Sequence, residues 1–132
     1  ITGTTYDEVG NIATTTDALG HVAKSEYDVV NRPKKMIINY VDGVFDPARS
    51  DEDLITGYGY DALGNVTRVE NNVDGSVAFT TTYGYDALYR LTETEQSGNA
   101  ITTARATFAY DVVGRLTGIY ITVVGQATQP QQ

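Results

Sequence analysis

The sequence contains no cysteine and no tryptophan, one histidine, one methionine, three phenylalanines and three prolines. Without cysteine there is no disulfide framework and no thiol chemistry. A single histidine, His21, leaves no basis for a zinc site or a Ser–His–acid triad. Basic residues are few: 9 Lys and Arg against 17 Asp and Glu give a formal charge of −8. That balance argues against nucleic acid and anionic membrane as partners. No apolar run approaches the roughly 18 residues that would cross a bilayer as a helix. Leu and Phe are sparse for a sandwich core, and a stack held by neighbour contacts fits better. The first residues, Ile1-Thr2-Gly3-Thr4-Thr5, carry no signal-peptide pattern and read as a processed end or an excised piece.

What the chain does have is glycine, tyrosine and threonine in a recurring order, with 13 Gly and 10 Tyr in 132 residues. The fullest unit is Tyr60-Asp61-Ala62-Leu63-Gly64-Asn65-Val66-Thr67. Copies begin at Tyr6, Tyr27, Tyr85 and Tyr110, and Asp17-Ala18-Leu19-Gly20-His21-Val22 is a half-copy without the tyrosine. Repetition of this kind decides a fold before any single residue does.

Each unit reads as a tight hairpin. Asp7, Asp17, Asp28, Asp61, Asp86 and Asp111 start the turns by bonding backbone N–H groups two residues on. Gly10, Gly20, Gly64 and Gly114 supply the left-handed residue that closes a three-residue loop with a bulge. Asn31 fills that slot at modest cost, whereas Tyr89 predicts either strain or a different turn. The residue before the slot is always apolar (Val9, Leu19, Val30, Leu63, Leu88, Val113). This predicts a continuous ridge, with turns that touch one another or are covered.

Thr, Tyr and Val runs flank the turns and predict strands up to residue 5 and over 12–16, 22–27, 34–41, 55–60, 66–72, 77–85, 91–96, 101–110 and 116–124. Reverse turns are expected at the half-copy, at Asp74-Gly75 and at Ser97-Gly98-Asn99. The stretch 42–54, acidic and containing Pro47, predicts a projecting loop with at most one helical turn. Residues 1–125 are expected to form one module, and 126–132 a frayed tail. A sheet this wide curls, and its outer strands are unpaired edges. Leu116–Val124, uncharged and β-forming, is a candidate donor strand.

The pattern Y-D-x-x-G-[NR]-[LV]-T, recurring from Tyr6 to about Thr122, resembles the YD repeats of the Rhs family. That family includes bacterial polymorphic toxins, insecticidal toxin complex C components, wall-associated proteins and teneurin shells. The resemblance implies an all-β fold of consecutive antiparallel hairpins, curled into a solenoid- or shell-like sheet. It also implies an extracellular or cell-surface setting and continuation in a longer shell. The family's self-cleavage segment, Asp-Pro followed by Gly-Leu, has no match, because the only Asp-Pro here is Asp46-Pro47-Ala48-Arg49. Toxin and protease activities are therefore not carried over.

Three functional readings compete. In the first the sheet is a structural wall or filament subunit that pairs with copies of itself. In the second, Tyr58, Tyr60, Tyr83, Tyr85 and Tyr110 form a face that binds glycans; the plainer alternative is a cross-strand tyrosine ladder. The third, an enzyme, needs clustered acids, and nothing singles out any two of the seventeen. The aspartates would also suit calcium between adjacent turns, but no D-x-D-x-D-G loop is present and turn capping explains them. No catalytic residue, cofactor or metal is expected.

Overall fold

A computed structural model describes residues 2–71, 79–98 and 101–124, with the side chains of 101, 102 and 124 excepted. The expected reverse turns at Asp74-Gly75 and at Asn99, and the tail 126–132, lie outside the described residues.

Among the described residues, ten strands form one open antiparallel sheet in sequential order. They are β1 (Gly3–Tyr6), β2 (Ile12–Thr16), β3 (Val22–Tyr27), β4 (Pro33–Ile38), β5 (Leu54–Tyr60), β6 (Val66–Asn71), β7 (Phe79–Tyr85), β8 (Leu91–Gly98), β9 (Ile101–Tyr110) and β10 (Leu116–Val124). The turns separating Thr- and Tyr-rich runs set the strand bounds, which fall within a few residues of those expected. The main difference is β4, which ends at Ile38 rather than running to 41. Asn39 there takes a left-handed φ of 53° and breaks the strand.

Strict alternation of direction sorts the turns. Those starting at Asp7, Asp28, Asp61, Asp86 and Asp111 lie at one end of the sheet, and the Asp17 turn lies at the other. Neighbouring turns in the row are two strands apart, or about 10 Å. At all five tyrosine-bearing hairpins the register slips by one residue where the Tyr meets the following strand. Such bulges increase right-handed twist, so the repeat writes curvature into the sheet at a regular interval.

Burial is slight. Ile37 and Ile55, paired across β4 and β5, are the buried apolar residues among those described. They lie where the chain from 39 to 53, with a short 3₁₀ turn at Pro47–Arg49, returns to the sheet. Asp53 organises that segment. Its buried carboxylate accepts from the N–H groups of Val41 (3.0 Å), Asp42 (3.2 Å) and Gly43 (2.9 Å). Burial opposes its ionisation, but these bonds hold its pKa below the usual carboxylate value.

Candidate functional site

The six aspartate turns share one geometry. In each, the Asp accepts on one oxygen from two N–H groups, two and four residues on: Asp61 Oδ1 from Leu63 and Asn65, both at 2.9 Å. The other oxygen takes the side chain four residues on, which is Asn11, His21, Arg32, Asn65, Arg90 or Arg115. The residue in the glycine slot donates its N–H back to the Asp carbonyl, from 3.0 to 3.2 Å. Both carboxylate oxygens are thus engaged within the turn. Among the described residues, no group of three or more His, Cys, Asp or Glu is placed to hold a metal.

These bonds depress every turn carboxyl below its ordinary pKa. The leading cause is the Arg N–H four residues on for Asp28, Asp86 and Asp111. It is the His21 side chain for Asp17 and the Asn65 amide for Asp61. At Asp7 desolvation is the largest contribution and opposes the shift, but hydrogen bonds from Asn11, Val9 and Gly10 outweigh it.

Glycine takes a positive φ of 87–94° at Gly10, Gly20, Gly64 and Gly114. Asn31 (63°) and Tyr89 (61°) occupy the same slot. Tyr89 keeps the common turn, with its N–H 3.0 Å from the Asp86 carbonyl, so of the two expected outcomes the strained one obtains.

The expected apolar ridge is divided. Val9, Val30, Leu63, Leu88 and Val113 stand exposed along one end, while Leu19 is exposed at the other. Polar side chains make the contacts between turns instead. Asn11 Nδ2 donates to Asn31 Oδ1 at 3.1 Å, and Arg32 Nη1 to the Asp61 carbonyl at 3.1 Å.

The tyrosines join one hairpin to the next. The Tyr27 hydroxyl donates to the Ile12 carbonyl (3.1 Å), Tyr60 to Pro33 (2.7 Å), Tyr85 to Val66 (2.8 Å) and Tyr110 to Leu91 (2.7 Å). Each acceptor is the residue just after the preceding turn. Where that turn ends in arginine, the guanidinium lies over the same ring: Arg32 is 4.5 Å from the Tyr60 centroid and Arg90 is 4.6 Å from Tyr110. One residue thus completes its own turn and covers the next tyrosine. Desolvation raises the Tyr60 and Tyr85 phenols above their usual pKa.

The backbone register is the same at all four junctions. Thr14 faces Lys24, Lys35 faces Gly57, Arg68 faces Thr82, and Glu93 faces Thr107. Each pair joins the third residue after a turn to the third residue before the next repeat tyrosine. Sequence reading missed this clasp because it links positions 15 to 27 apart. The recurrent Asn or Arg after the glycine slot was its one visible trace.

Of the tyrosines grouped as a face, Tyr58 and Tyr83 sit two residues before Tyr60 and Tyr85 and are half-buried. The glycine inside each Tyr-Gly-Tyr gives room to the neighbouring strand. A Cβ at Gly59 would sit 3.2 Å from the Arg68 Cβ, and one at Gly84 would sit 3.4 Å from the Glu93 Cβ.

Residues 60–100 match the RHS Repeat family model. No curated protein matches the chain. Among solved structures, the TcdB2-TccC3-Cdc42 crystal structure aligns with a TM-score of 0.72 and 20% identity, covering 93% of this chain and 7% of that one. The TcdB2-TccC3-TEV crystal structure gives 0.70 and 23% identity over 89% of this chain and 5% of that one. The Photorhabdus luminescens Tc holotoxin pore carrying the TccC3 D651A mutation gives 0.71 and 19% identity over 93% and 7%. The chain therefore spans well under a tenth of the length of the structures it matches. Residues 60–100 are thus similar to the RHS repeat, and the sheet that contains them has the fold found within the toxin-complex chains it aligns with.

Proposed function

We propose that the chain is a structural wall segment of a YD-repeat shell. In this reading residues 1–125 act as one module in an extracellular or cell-surface setting, with 126–132 as a tail. The sheet works by extension: each hairpin supplies a carbonyl, and where its turn ends in arginine a guanidinium, that receives the next hairpin's tyrosine. The observation that carries the reading is the tyrosine hydroxyl bonded to the carbonyl after the preceding turn, repeated at four junctions. An interface repeated along one axis is what a serial wall requires, and its stability then accumulates hairpin by hairpin. The toxin-complex structures, in which a sheet of this fold is a small part of a long chain, support continuation into a larger shell. The tyrosines serve cohesion in this account rather than a glycan, since the hydroxyls of Tyr60, Tyr85 and Tyr110 already have partners.

Duplicating residues 85–109, one repeat interval, tests the reading. A wall segment gains two strands and one clasp, so circular dichroism shows a single transition at higher temperature. An independent unfolding step for the insert, or a lower melting temperature, contradicts it.

A further inference from the structure

Directly opposed residues share a face of a sheet, so the register sorts the strand side chains into two sets. Glu26, Lys35, Gly57 and Glu70 oppose one another in turn, and so do Arg68, Thr82, Glu95 and Arg105. Arg68 and Glu70, two apart on β6, are ion-paired, which puts both rows on one face. Lys24 and Glu93 stand two residues before Glu26 and Glu95, and Lys34 reaches Glu26 at 3.8 Å. Among the described residues, every charged side chain of the ten strands therefore lies on the same face.

The other face is neutral. Tyr58, Val69, Thr81, Gln96, Ala104 and Val123 oppose one another in turn from β5 to β10, and Ile38 opposes Leu54 beside them. Arg32 and Arg90, over the rings of Tyr60 and Tyr110, border this face at the turn row. An apolar centre with a polar rim is the anatomy of a protein interface.

The charged face has a cover of its own. The chain between β4 and β5 returns across it, with Tyr40 beneath Lys24 and Gly43 beside Ile37, where Ile37 and Ile55 are buried. Ile38, one residue from Ile37 and on the neutral face, is 52% exposed. An antiparallel sheet with one apolar face packs that face against a second layer.

Charge and area identify that layer. Against another neutral face, a chain of net charge −8 buries no strand charge. Ten strands about 4.8 Å apart and about 20 Å long offer a face of about 950 Å². A stable interface takes about 800 Å² from each partner. We propose that two copies of the chain pack neutral face to neutral face about a two-fold axis. Twisted sheets stack in this way about 10 Å apart. The contact is isologous and closes on itself, so its product is a dimer. It uses a face and no strand edge, so it goes beyond the wall reading and is compatible with a sheet that continues sideways.

Adjacent residues of β7 supply the test. Thr81 lies on the neutral face, beside an open hollow of about 400 Å³ shared with Tyr83, Thr94 and Gln96 that has room for a longer side chain. Thr82 is exposed on the charged face. Sedimentation equilibrium of the 132-residue chain should show a dimer, with a melting temperature that rises with protein concentration. Thr81→Lys, buried twice in a symmetric contact, should weaken the dimer at least about a hundredfold. Thr82→Lys should leave it unchanged. Ile38→Lys repeats the test at a position already exposed in the single chain, and circular dichroism checks that each variant remains a β-sheet. A folded wild-type monomer, species that grow beyond the dimer, or equal weakening by Thr82→Lys overturns the face-to-face contact and leaves the wall segment standing. A monomer that binds an apolar dye, with binding lost in Ile38→Lys, also overturns it and assigns the face to a different occupant. A chain unstructured at every concentration overturns both readings.

Discussion

The hydroxyl of Tyr110 donates to the carbonyl of Leu91 at 2.7 Å, and the arginine just before Leu91 lies 4.6 Å from the centroid of that tyrosine's ring. Two hairpins are joined by one polar and one cationic contact from adjacent residues. The Tyr-Asp pair that gives the repeat its signature therefore divides its labour: Asp closes its own turn, and Tyr holds the turn before.

Replacing Tyr60 or Tyr110 by Phe removes the hydroxyl and leaves the ring. Each substitution should lower stability by about 0.5–1.5 kcal/mol, the net worth of one hydrogen bond. Tyr6→Phe, at an edge, should have almost no effect on the stability of the single chain. Thermal melts of the three variants give the comparison.

Tyr89 carries a left-handed φ of 61° in a slot where four other turns have glycine. Because its side chain is mostly exposed, Tyr89→Gly loses little packing and relieves strain. The gain is partly offset by the larger unfolded-state entropy of glycine. A net stabilisation of about 0.5–1 kcal/mol is expected, and urea denaturation measures it. Gly64→Ala, at φ 94°, should act in the opposite direction.

Asp53→Ala removes the acceptor for three backbone N–H groups beside Ile37 and Ile55. The cost should be about 2–3 kcal/mol, since buried donors lose a charged partner. Hydrogen exchange should locate the loss in residues 39–55 and leave β7 to β10 protected.

The turn aspartates make the sheet acid-labile. Their folded-state pKa values lie below the ordinary value, so below that value the unfolded chain binds more protons. Their stabilisation is present above about pH 4 and is lost as pH falls through the depressed folded values. Melting temperature should be flat from pH 7 to about pH 5 and fall steeply below about pH 4. An Asp111→Asn variant should show a shallower fall.

The sheet was largely legible in the sequence because turn chemistry is local. Asp, two residues, then Gly or Asn fixes where each hairpin closes, and Thr, Val and Tyr runs fill the strands. The end of β4 was misjudged because Asn39 leaves the strand to suit Asp53 and the returning segment, a contact 12–14 residues away. The apolar ridge was overread: alternating strand direction sends Leu19 to the far end, and asparagine and arginine side chains take over the contacts between turns. The clasp stayed hidden because its acceptor is a backbone carbonyl, which has no residue identity to recognise.

A double-mutant cycle on Arg90 and Tyr110 tests the central claim most directly. Arg90→Ala, Tyr110→Ala and the double variant are melted under identical conditions. The account predicts a coupling of about 0.5–1 kcal/mol, the strength of a cation–π contact near a surface. The same cycle on Arg115 and Tyr110 should give a clearly smaller value. Additive effects for Arg90 and Tyr110 would contradict the guanidinium's part in the clasp and leave the hairpins held by backbone pairing and the tyrosine hydroxyl alone.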